Sequence, residues 1–185
     1  MKDINNSLKF WLGELAKYEL TPYEKLPDID LYMDQMITYL ERNLQTFALS
    51  SLDKQITSSM INNYVKGDCI PNPISKKYNK EHIALILEIC LLKRAINIAD
   101  IKQIIDSNYQ NSDFKETYND FATKSNEILH EVTMDAVNKL ENIETNDHKE
   151  LHKLAMELSL VANANILIAK RILSYIEIQN NLKDE

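Results

Sequence analysis

Two glycines and four prolines are all that punctuate the 185 residues of this chain. An all-β fold needs a turn signal roughly every 8 to 12 residues, and those signals are missing here. Long helices must fill the length instead, so the expected fold class is all-α. Glycine scarcity also leaves almost no material for phosphate-cradling loops, and no GxSxG, P-loop or GxGxxG pattern occurs. The two cysteines, Cys69 and Cys90, lie beside Ile70 and Leu91; they read as small buried hydrophobes and not as a disulfide framework. Long apolar runs are lacking too. The longest, "IALILEICLL", spans ten residues and holds Glu88, well short of the ~20 residues that cross a bilayer. "MKDINNSLKFWLGELAKYEL" carries charges among its apolar positions and no small-residue cleavage site, so it does not read as a signal peptide. A cytoplasmic, non-enzymatic protein is expected.

What remains is ordinary globular material, 44% hydrophobic and 26% charged, enough for one good core or two small ones. The net charge of −7 is unevenly spread: residues 1–53 carry −4, residues 54–106 carry +3 and residues 107–185 carry −6. A general nucleic-acid coat is excluded by the total, because affinity for phosphate grows with the cations presented to it. A basic island between two acidic flanks is a different matter.

Leu8, Trp11, Leu12, Leu15 and Leu20 recur at helical spacing, predicting a helix that ends before "LTPYEKLP", where Pro22 and Pro27 cannot continue it. A second helix is predicted from about Pro27, with Asp28 and Asp30 in its first turn and Leu31, Met36, Ile37, Leu40 and Leu44 inward, to about Phe47. Thr57 reads as the N-cap of a short helix carrying Met60, Ile61, Tyr64 and Val65; Gly67 and Asp68 end it. "IPNPI" then forces an extended, turning segment. Asn79 and Asn97 read as caps of two further helices. The polar run 106–113 is the best candidate linker. Phe114, Tyr118, Phe121, Ile128, Val132 and Ile143 mark one long helix, and Leu151, Leu154, Leu158, Val161, Ile168, Ile172 and Tyr175 mark a second, forming an antiparallel hairpin joined at "ETNDHKE". The last helix is apolar on more than one face, so it must be buried; an oligomer interface is expected there, with a monomeric helical core as the alternative.

Chemistry-bearing patterns are few. His148 and His152 have the i, i+4 spacing of a zinc pair, but no third ligand is evident and Lys149 stands where the glutamate of HExxH belongs. They read as a solvated pair, His82 and His130 as isolated residues. No metal, nucleotide or organic cofactor is implied. The stretch "ITSSMINNYVKGDCIPNPISKKY" (56–78) is different. With Met60, Ile61, Tyr64 and Val65 inward, Ser58, Ser59, Asn62, Asn63 and Lys66 face out, and Ser59, Asn62, Asn63 and Lys66 follow i, i+3, i+4, i+7. Such a stripe suits base edges in a major groove, where asparagine pairs with adenine. A plain solvated helix face fits the same residue types.

The order of elements over 56–105 resembles the winged helix-turn-helix of MerR-type transcription regulators. Tyr64 falls on that family's recognition-helix tyrosine, Ile70 and Pro71 on its hydrophobic-proline step, and Lys76, Lys77 and Tyr78 on its basic wing; "AINIADIKQI" matches the segment opening its last helix. The departures are Asn62 and Asn63 in place of an arginine and a second tyrosine, the absence of any cysteine after Cys90, and some fifty residues preceding the recognition helix. Residues 31–47 must then supply the first helix of the motif. Across "LPDIDLYMDQMITYLERNL", "ITSSMINNYVKG" and "KKYNKEHIA" the chain is similar to the YkrK-like family of domains of unknown function, for which a repressor role has been suggested. The resemblance implies a sequence-specific regulator of double-stranded DNA. It divides the chain into an N-terminal helix and connector (1–27), a winged helix-turn-helix (28–106) and a C-terminal hairpin (107–185) that dimerises or receives a signal. Thr57 and the helix amides would position a phosphate, the Ser59, Asn62, Asn63, Lys66 stripe would read bases, Lys76, Lys77 and Tyr78 would hold backbone, and Lys80 would share their surface, with Ser58 and Tyr64 of the same helix also expected to contact DNA. The rival reading is a protein-interaction adaptor on a helix-turn-helix scaffold that no longer touches DNA.

Overall fold

The computed structural model describes residues 4–47, 56–144 and 147–182. Among these, seven α-helices and one two-stranded ribbon account for nearly all regular structure, so the chain is mostly helical. No helix among the described residues is long and apolar enough to cross a membrane.

Helix α1 (Ile4–Ala16) ends before the prolines, and the connector after it is sewn to a distant helix. The Leu20 amide donates to Asn126 Oδ1 at 2.8 Å, the Tyr23 amide to Asn119 Oδ1 at 2.9 Å, and the Tyr118 hydroxyl to the Thr21 carbonyl at 2.9 Å. These polar side chains give an irregular segment the backbone partners it would otherwise lack.

The helix predicted from Pro27 starts later, at Met33. Leu31–Tyr32 is instead a strand, β1, which pairs antiparallel with β2 (Lys77–Tyr78), Leu31 opposite Tyr78 and Tyr32 opposite Lys77. Asp28 and Asp30 therefore lie outside helix α2 (Met33–Asn43), whose first turn carries Asp34. The Gln35 side chain accepts from the Tyr32 amide at 3.0 Å and fixes the new start. A 3-10 turn, Gln45–Phe47, closes this segment at the expected place.

The three capped helices form as the capping residues dictate. In α3 (Ser58–Lys66) Thr57 Oγ1 accepts from the Met60 amide at 3.3 Å; in α4 (Lys80–Leu92) Asn79 Oδ1 accepts from the His82 amide at 3.1 Å; in α5 (Ile98–Tyr109) Asn97 Oδ1 accepts from the Asp100 amide at 2.9 Å. Every residue of α4 from His82 to Cys90 is buried. At about 1.5–3 kcal/mol for each large apolar side chain withdrawn from water, Ile83, Leu85, Ile86, Leu87 and Ile89 make α4 the axle of the fold. Helices α2, α5 and the long helix α6 (Phe114–Glu141) pack around it.

The run 106–113 is not a free linker. Helix α5 continues to Tyr109, whose ring lies 4.5 Å from that of Phe114, and the chain turns at Asn111 with a φ of 59°. The cause is aromatic: Tyr109 has a core to pack into, which outweighs the polar composition around it. The main core runs from Leu20 to Ala122 and takes in Tyr118, so the expected boundary at 106 falls inside one packed unit, and the connector of residues 17–27 belongs to it as well.

Helix α7 (His148–Asn181) is the last helix of the chain's described residues. Leu140 of α6, Leu154 of α7 and Leu12 of α1 form a second, small core, and Lys139 pairs with Glu157 across the two long helices at 2.7 Å. Beyond that base the expectation of burial fails for the single chain: Val161, Ile168, Ile172 and Tyr175 are exposed.

Candidate nucleic-acid interface

Helix α3 owes its orientation to Ile61 and Tyr64, which are buried against the main core, with Met60 and Val65 packed at its edge. Its opposite face is therefore fixed toward solvent. Ser58, Ser59, Asn62, Asn63 and Lys66 are all exposed there. The helix stops where Asp68 takes a φ of 52° and the Cys69 amide returns to the Tyr64 carbonyl at 2.9 Å, a left-handed C-terminal closure. Cys69 and Ile70 then enter the core, which ties down the segment leading to the predicted wing.

The segment expected to be a wing folds as a minute hairpin. Ile74 and Lys77 exchange both backbone hydrogen bonds, at 3.1 and 2.9 Å, around a two-residue tip in which Ser75 and Lys76 have φ of 51° and 63°. Two successive positive φ values are what a type I′ hairpin turn demands, and glycine or asparagine usually supplies them. Neither residue here is one of those, so the tip stores strain while holding Lys76 out in solvent. Lys77 follows on the edge of the ribbon, its Nζ 5.2 Å from the centre of the Tyr32 ring, a cation–π contact that restricts the side chain.

Not all of the predicted residues reach this surface. Tyr64 is 6% exposed and Tyr78 3%; both hold the core and neither presents its ring to a ligand. The Tyr64 hydroxyl accepts from Lys93 Nζ at 3.4 Å, and burial raises its ionisation well above the usual phenol range. Tyr78 stands edge-on to His82 at 5.5 Å. The hydroxyl oxygen of Thr57 is committed to its cap. Lys80 turns away, toward Asp28 in an ion pair and over the Tyr23 ring at 5.1 Å, so its charge is shared within the protein. Of the predicted set, Ser58, Ser59, Asn62, Asn63, Lys66 and Lys76 are open to a ligand and Lys77 partly so. Tyr32 and Asp28 were missed because both were assigned to a helix that begins after them.

One ionisable pair lies beneath the surface. Glu88, in the middle of α4, is 2% exposed and accepts from the Tyr109 hydroxyl. Burial pushes its carboxyl up to about 7, against the opposing pull of the Tyr109 hydrogen bond. His148 and His152 are exposed at the start of α7, where His152 Nδ1 lies 2.6 Å from the His148 carbonyl. No three His, Cys, Asp or Glu side chains among the described residues gather as a metal site.

No curated protein and no solved structure matches the chain. A family model does. It spans residues 21–126, nearly the same span as the main core from Leu20 to Ala122, and it leaves out α1, the second half of α6 and all of α7. On that match the chain belongs to the family described as a domain of unknown function, DUF1836.

Proposed function

We propose that the protein is a sequence-specific DNA-binding transcriptional regulator, a repressor acting as a dimer, with a MerR-like winged helix-turn-helix in which α2 and α3 form the helix pair and Ile74–Tyr78 the wing. The observation that carries this reading is the solvent face of α3: Ser59, Asn62, Asn63 and Lys66 lie exposed on a capped, core-anchored helix, with none of its large apolar side chains fully exposed. Asn62 and Asn63 would read adenine edges, and Lys66, Lys76 and Lys77 would meet phosphates. The strained tip that holds Lys76 outward supports a role for that lysine beyond the fold. In this arrangement Tyr64 and Tyr78 support the reading helix and the wing from behind, and Lys80 contributes little.

Selection of bound fragments from genomic DNA would supply the operator. On it, Lys76→Ala and Lys77→Ala should weaken binding to all sequences alike and lower the salt slope by roughly one. Asn62→Ala or Asn63→Ala should cost about 1–3 kcal/mol and relax preference at an A·T position, with the salt slope nearly unchanged. A folded wild type with no salt-dependent affinity for any selected DNA refutes the reading. The exposed apolar length of α7 favours the adaptor as a second reading, and under it none of the four substitutions alters binding to DNA.

A further inference from the structure

We propose that the exposed stripe of α7 is covered by the same helix of a second copy, running antiparallel across a two-fold axis at Ile168. This deepens the reading above by naming the surface through which a dimer would form, and it stands on residues remote from α3.

The stripe is continuous. Val161, Ile168, Tyr175 and Leu182 recur every seven residues, as one position of a coiled-coil seam does, and Ala164 and Ile172 lie on the same narrow face of the helix between them. Ile168 is 58% exposed, and Val161, Ile172, Tyr175 and Leu182 are more than half exposed as well. Leu167 flanks the seam at 68%. At on the order of 80–100 Å² for each of these six side chains, the stripe offers roughly 500–600 Å² per copy, so two copies together reach about the 1,200 Å² at which specific interfaces begin. A solvated surface of that kind is too apolar to stay bare on a stable monomer.

Direction follows from complementarity. In an antiparallel pairing about Ile168, Val161 faces the partner's Tyr175 and Ala164 faces the partner's Ile172, large against small in both cases. Arg171, the cation nearest the seam, then faces the partner's Asn165, an uncharged amide that can accept from it. A parallel pairing sets each Arg171 against the partner's Arg171, two like charges across an apolar seam. A two-fold arrangement is also the commonest closed symmetry.

The full-length chain should run in light scattering at twice its 21.5 kDa mass without any DNA. Ile168→Glu, whose side chain is free in the single chain, should keep its helical circular dichroism yet weaken dimerisation at least about a hundredfold, since a charge is buried in each copy. Ile168→Cys should cross-link to itself on mild oxidation. Val161→Cys should not, because its two copies would stand about 21 Å apart and a disulfide requires Cα atoms within about 7 Å; mixed with Tyr175→Cys it should. A wild type that stays monomeric at micromolar concentration, an undiminished dimer in Ile168→Glu, or self-cross-linking of Val161→Cys as efficient as that of Ile168→Cys overturns the proposal. Because mass is read without DNA, a dimer with no DNA affinity overturns only the reading of α3, and a monomer that binds DNA overturns only this one.

Discussion

Replacing Glu88 with glutamine should change how stability depends on pH. Glu88 is buried in the centre of α4, where, among the described residues, the Tyr109 hydroxyl donates to it and no cation pairs with it. Its carboxyl is raised from an ordinary 4.5 to about 7 by desolvation. Over that interval the folded chain holds a proton that the unfolded chain releases, so stability falls as pH rises, by up to about 1.36 kcal/mol for each unit of pH. It levels off above pH 7. Between pH 5 and pH 8 the loss comes to about 2.5 kcal/mol from this group, a large share of the 5–15 kcal/mol typical of a domain. Glutamine is shaped like the protonated acid and its carbonyl oxygen still accepts from Tyr109, so Glu88→Gln should be no more stable than wild type at pH 5 and about 2 kcal/mol more stable at pH 8. Urea unfolding followed by far-ultraviolet circular dichroism at pH 5, 6, 7 and 8 measures it, and subtracting the two curves removes every other titrating group. A difference that stays flat within about 0.5 kcal/mol would refute the assignment of a buried, neutral carboxylic acid.

Two further substitutions test how the chain is tied together. Asn126→Ala should cost about 1–3 kcal/mol in urea unfolding, because the Leu20 amide it serves at 2.8 Å is left without a partner in the core; a neutral result would mean that water replaces it freely. Gly13→Ala should stabilise α1 by about 0.5–1 kcal/mol, since a methyl group there meets nothing within 4 Å; a lowered melting temperature would show that α1 needs its glycine for a reason outside the single chain.

How legible the molecule was depends on how local each cause is. Thr57, Asn79 and Asn97 could be read as caps because a cap is a contact between residues three apart. The two long helices followed from a repeat sustained over many turns. Strand β1 was unreadable: two residues show no period, and Leu31 becomes a strand only because Tyr78, 47 positions later, lies opposite it. The same holds for Lys80, which looks like a free cation until Asp28 is found beside it. At the candidate interface, the exposure of Ser59, Asn62, Asn63 and Lys66 followed from helical spacing alone. Burial of Tyr64 followed as well, but its place in a resemblance to DNA-binding proteins drew it onto the list of contacts. Glu88 stood out in an apolar run, yet whether such a carboxylate is solvated or buried is decided by Tyr109 and the helices around it, which no local pattern reveals.

Helix α6 joins the core behind α3 to the base of α7. Its first turns bury Tyr118 and Ala122 in the core that anchors α3, and its last turns bury Leu140 in the small core that anchors α7. One helix of 28 residues is a stiff strut of about 42 Å, held at both ends by packing and along its side by Asn119 and Asn126. Whatever covers the α7 stripe is therefore mechanically coupled to the solvent face of α3. If the cover is a second copy and α3 reads DNA as proposed, the separation and phase of the two α3 helices follow from the hairpin and not from a flexible linker, so the two half-sites of an operator must stand at one spacing, set by the helical repeat of DNA. A tether of loose residues at 106–113 would have tolerated several spacings. The packing of Tyr109 on Phe114 removes that freedom, and operators whose half-sites are moved apart by half a helical turn should lose the second contact altogether.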